Sequence, residues 1–173
     1  MAMDTLHTLP VATSAEKERS AVLDVLAVAG LMTLGAWIRI PLPFTPVPMT
    51  LQTFPVLVGA FLVSRNRAMA GVLLYMVLGL AGAPVLAVGT TFGVTFGYLA
   101  GFVAAPWVVS RFRSPLAGII AATAVIYVFG AAWLSLYTGF SAAAALMLGV
   151  APFLPGDAIK AAAAYAVIRR ISR

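Results

Sequence analysis

Apolar residues fall in runs at about 21–38, 50–63, 68–83, 92–110, 115–137 and 140–168, the last interrupted at 152–156. Runs approaching 20 residues predict helices that cross a bilayer, because about 20 residues at 1.5 Å each span the hydrocarbon. Six crossings put both ends of the chain on one side. Lys17 and Arg19 precede the first run, Arg65 and Arg67 join the second to the third, Arg111 and Arg113 join the fourth to the fifth, and Arg169, Arg170 and Arg173 follow the sixth. These nine of the eleven basic residues share one side, and an excess of Lys and Arg marks the cytoplasmic side. The expected fold is therefore an all-α integral membrane protein, a compact bundle of six transmembrane helices with both termini cytoplasmic. Residues 1–20 read as a flexible or surface-lying tail, and 21–173 as one substrate-binding domain.

Breaks within the apolar pattern sharpen this picture. Proline occupies four of the eight positions 41–48, which favours an extended, polyproline-like strap on the outer side. The stretch from Phe140 to Arg169 is about 45 Å long if helical, too long for one upright crossing. Pro152, Pro155 and Gly156 interrupt it, so the last helix is expected to break near 152–156 and to restart near Pro155. Gly89, Gly93, Gly97, Gly101 and Ala105 recur at every fourth position and predict one flat face on the fourth span, for close helix packing or for a ligand lying on the backbone. Thr95 and Tyr98 flank that face.

Composition fits the bilayer reading. Hydrophobic residues make up 62% of the 173, charged residues 9%, and the mean hydropathy is +1.04. Soluble domains carry about 25% charged residues. The net charge of +6 comes from small groups at the ends of apolar runs and not from one stripe, which argues against nucleic acid. Trp37, Trp107 and Trp133 fall near span ends and read as interfacial anchors. The chain has no cysteine, and its one histidine, His7, lies in the tail. Thiolate chemistry, a Ser-His pair within the bundle and a histidine-ligated metal are thereby excluded. No phosphate-cradling G-x-x-x-x-G-K-[ST] loop is present, so any ATP-driven step belongs to another subunit. No cofactor and no catalytic residue is expected.

Two charges stand out. Between Arg113 and Arg169 only Asp157 and Lys160 are charged. Three residues apart on a helix, they lie on one face with Cβ atoms about 5–6 Å apart, and Asp157 in the first turn meets the favourable end of the helix dipole. Charges at membrane depth are costly and mark function by default. The plainer reading is that they neutralise each other and hold the last helix in place. As a recognition pair, the carboxylate accepts N–H and the ammonium donates to C=O, which suits a small uncharged urea, amide or imide.

At these residues the chain resembles the BioY family, the biotin-specific S components of energy-coupling-factor (ECF) transporters. The resemblance rests on PLPFTPVPMTLQTF at 41–54, LLYMVLGLAGAPVLA at 73–87 with GVTFGYLAGF at 93–102, and PFLPGDAIK at 152–160. It implies a six-helix S component of the bacterial cytoplasmic membrane that captures biotin from outside. An ECF transmembrane coupling subunit and ATPase subunits are then its partners, beside the lipid bilayer, with a homo-oligomer left open. By the same resemblance Asp157 and Lys160 meet the ureido group, Tyr98 and the glycine face including Gly97 border the ring, and the 41–50 loop closes over it. Gln52 and Thr50 are further contacts, with capping or interhelical bonding as their alternative. Arg39 is either a partner for the ligand carboxylate or an interfacial anchor. The chain departs from the family pattern at Gly93–Leu99, where a proline is lost and Phe96 gained, and in the short 85–91 stretch, where Thr91 is the substitute contact. An A-x-x-x-A signature is missing from span one, with Ala29 and Thr33 the nearest small pair. The alternative function is a solitary, proton-coupled biotin transporter working without an ATPase module.

Overall fold

The computed structural model describes residues 14–89 and 92–171; His7 and Thr91 lie outside them. The described residues form seven α-helices and one two-stranded antiparallel ladder, in the order α1 (Ser14–Trp37), β1 (Arg39–Ile40), β2 (Met49–Thr50), α2 (Thr53–Leu62), α3 (Arg65–Leu80), α4 (Phe96–Val109), α5 (Pro115–Thr138), α6 (Ala142–Gly149) and α7 (Leu154–Ile171). Among the described residues three stretches are long and apolar enough to cross a membrane: Ser14–Trp37, Pro115–Thr138 and Ala142–Ile171, the last running through α6 and α7. The chain is a helical membrane protein.

The helix α1 begins at Ser14 instead of near residue 21, so the charged segment at 16–19 is helical and not a loose tail. Glu16 in its first turn suits the positive end of the helix dipole. Further along, Asp24 accepts from Arg67 at 2.7 Å, tying α1 to the start of α3.

α2 and α4 are shorter than their apolar runs. At 1.5 Å per residue, the ten residues of α2 rise only about 15 Å, half a bilayer core. The ladder fills the missing depth: Arg39 pairs with Thr50 and Ile40 with Met49, folding residues 41–48 into a flap above α2. This flap is not the extended strap the prolines predict. A turn closes it from Leu42 O to Thr45 N at 3.4 Å, and the Thr45 hydroxyl donates to Leu148 O at 2.8 Å, fastening it to the end of α6.

Small residues set the closest helix pair. A Cβ on Gly101 would come within 2.7 Å of the Ile126 Cα, and one on Gly97 would collide with Phe129 and Trp133. Only glycine admits α5 at that separation. Gly89 and Gly93 precede α4, so the flat face starts at Gly97. The outer tryptophans do more than anchor: Trp37 donates to Pro84 O and Trp133 to Gly93 O, both at 2.9 Å, pinning the α3–α4 connector from two sides.

The last crossing breaks at Val150, followed by a 3-10 turn at Ala151–Phe153. This lies slightly before the predicted 152–156. Pro155 and Gly156 belong to the first turn of α7, where a missing N–H costs no hydrogen bond.

Candidate functional site

The break exists to place α7's first turn inside the bundle. Asp157 and Lys160, at 7% and 9% exposure, are buried on its inner face. They form an ion pair through Asp157 Oδ1. Lys160 Nζ also donates to the Thr50 carbonyl at 2.7 Å, and the Tyr127 hydroxyl donates to Asp157 Oδ2 at 2.5 Å. Each charge thus has a partner beyond the other, which offsets part of the desolvation that makes buried pairs costly.

These groups line an interior cavity of about 50 Å³ between β2, α2, α4, α5 and α7. Its polar wall holds Asp157, Lys160, Thr50, Gln52 and Thr95; Tyr98, Tyr127, Phe102, Phe153 and Ile126 supply an apolar and aromatic wall. A planar polar head against aromatic faces is the occupant such a lining fits. Above it, and sharing Pro48 and Ala87 with it, lies an outer vestibule of about 450 Å³.

Gln52 is 4% exposed and donates to the Tyr75 hydroxyl at 2.9 Å, while its Oε1 accepts from Thr50 at 3.3 Å. Its amide plane is therefore fixed, with one N–H left over. Tyr98 sends its hydroxyl to Gly149 O at 2.6 Å, across Gly130 and Gly149, where any side chain would strike it. It therefore offers its ring to the cavity and keeps its hydroxyl for α6.

Two predicted residues stand elsewhere. Gly97 does not line the cavity: it lies on the α4–α5 seam, where it and Gly101 are taken up by packing against α5. Arg39 is exposed and lines the outer vestibule, where its guanidinium donates to Ala87 O. Tyr127 and Tyr75 were missed. Tyr75 lies in the apolar stretch of α3 and Tyr127 is one of two tyrosines in α5, and only the fold shows which face carries each.

The BioY family model matches residues 9–173. The chain belongs to the BioY family. A probable biotin transporter BioY of Pyrococcus horikoshii is 32% identical over 166 residues, covering 90% of this chain and 97% of that protein. The biotin transporter BioY of Thermotoga maritima is 33% identical over 155 residues, covering 83% and 90%. The crystal structure of an S-component for biotin from an ECF-type ABC transporter superposes with a TM-score of 0.81 at 22% identity, over 93% of this chain and 95% of that one. The fold of this BioY-family chain is thus that of an S component.

Proposed function

We propose that this chain captures biotin and takes part in its uptake across the cytoplasmic membrane, as the substrate-binding S component of an ECF transporter. The observation that carries this reading is the buried Asp157–Lys160 pair facing a cavity with aromatic walls. Biotin is a cyclic urea on an apolar bicycle with a carboxylate tail. Asp157 accepts its N–H, the Lys160 ammonium donates to its carbonyl, and its rings lie against Tyr98 and Tyr127. Gln52 and Thr95 supply further polar contacts, and Arg39 in the vestibule is the group that meets the tail.

The basic residues at the 64–67 and 110–113 connectors and at the C-terminal end favour a six-crossing topology with both termini cytoplasmic. The sequence holds no phosphate-cradling G-x-x-x-x-G-K-[ST] loop, so an ATP-driven step falls to ATPase subunits working through a coupling subunit. Thr91 stays a proposed contact on the short connector.

Purified protein in detergent is expected to bind radiolabelled biotin and to release it to dethiobiotin, which keeps the urea and tail. A properly folded chain that retains no biotin would overturn the reading. Uptake in cells lacking every coupling subunit separates the ECF component, which then accumulates no biotin, from a solitary transporter, which does.

A further inference from the structure

Asp157 stands in a wall with two sides. On one side is the interior cavity; on the other is a cleft of about 300 Å³ between α5 and α7, lined by Thr123, Leu154, Ala158 and Ala161, and Asp157 and Tyr127 border both. The carboxylate's two oxygens have different partners. Oδ1 pairs with Lys160, and Oδ2 takes the Tyr127 hydroxyl. The cleft wall also holds the Thr123 hydroxyl, one helical turn before Tyr127, buried with no hydrogen-bond partner among the described residues. Without the Tyr127 bond nothing but Lys160 holds the carboxylate's orientation, and Thr123 on the same cleft wall is an unpaired hydroxyl.

We infer that Tyr127 is a positioning residue for ligand recognition: it holds the Asp157 carboxylate in the rotamer that faces the interior cavity. Lys160 cannot do this alone. An ammonium on a flexible four-carbon stem follows a carboxylate as it turns, whereas a phenol on α5 has a fixed reach. With Oδ2 committed to Tyr127 and Oδ1 to Lys160, the lone pairs that remain lie in one plane, and a ligand N–H must arrive in that plane. Tyr127 thereby sets both strength and direction of the site without being required to touch the ligand's polar atoms.

This inference rests on the proposed biotin site, and its test keeps the two apart. Tyr127→Phe removes one buried oxygen and adds no volume; size-exclusion and thermal unfolding of ligand-free protein control for folding. The chain contains three aspartates, Asp4, Asp24 and Asp157, so carbon-13 labelling of aspartate carboxylates, assigned with Asp157→Asn, isolates the Asp157 infrared band. In ligand-free Y127F that band is expected to shift, and biotin affinity is expected to fall about tenfold or more, in keeping with loss of a hydrogen bond to a charged group. A purely structural role lowers the unfolding temperature and leaves the band in place, and that result overturns the inference. So does a shifted band with unchanged affinity. If unmodified protein binds no biotin, the functional reading falls and the inference with it, a result unlike failure of the inference alone, in which both proteins bind equally.

Discussion

Lys160 on α7 donates to the backbone carbonyl of Thr50, 110 positions earlier in the chain, at 2.7 Å. Thr50 is in turn the ladder partner of Arg39. The buried ammonium, the base of the flap and Arg39 therefore form one connected piece, and any force that moves Lys160 also acts on the strand below the flap.

The first expectation concerns the charge pair. Replacing Lys160 by Gln or Asp157 by Asn leaves the other charge buried with fewer partners, a loss of the kind that costs about 3–5 kcal/mol when a buried pair is broken. Replacing both removes the orphan. Thermal unfolding of ligand-free protein should therefore rank the double variant above either single one, while all three lose biotin binding. Equal destabilisation with binding kept in the double variant would make the pair a helix brace and nothing more.

Tyr98 separates ring from hydroxyl. Tyr98→Phe loses the 2.6 Å bond to Gly149 O, worth about 1 kcal/mol of stability, but keeps the aromatic face, so biotin affinity should change less than threefold or so. Gly130→Ala pushes a methyl into the ring itself and should weaken binding more than the loss of the hydroxyl does. Equilibrium binding on the two variants checks the order.

Much of this was legible before any coordinates. The apolar runs with their basic connectors mark the helices, and the isolated Asp157 and Lys160, with the proline break beside them, mark the buried pair that lines the interior cavity. Three features were not. The glycine stripe is equally good for a ligand and for a helix, and only the position of α5 assigns Gly97 to packing. Prolines at 41–48 restrict φ but leave the chain's direction to its anchors, here the β1–β2 ladder and Thr45. Tyr127 and Tyr75 act through partners remote in sequence, Asp157 and Gln52, and no local spacing announces such pairs.

Packing at the seam can be tested independently of recognition. Gly97→Ala places a Cβ against Phe129 and Trp133, an overpacking that typically costs about 1–3 kcal/mol. Thermal stability should drop while the biotin affinity of the protein that remains folded is little changed. A selective loss of affinity at normal stability would return Gly97 to the binding site.

The flap supplies the last expectation. The interior cavity of about 50 Å³ is well below the roughly 300 Å³ of ordinary small-molecule sites, so the walls must part for a ligand of biotin's size. Pro48 and Ala87 line both the cavity and the vestibule. Thr45 fixes the flap above them through its bond to Leu148 O. Thr45→Val keeps the shape of the side chain but removes that bond, and about 1 kcal/mol taken from the closed form corresponds to roughly fivefold. Because the latch acts on the closed complex, the effect should appear as faster dissociation of bound biotin with a similar rate of association, measured by chasing labelled biotin with excess unlabelled ligand. Unchanged dissociation would mean that the flap is held by its ladder alone and that Thr45 only fastens α6.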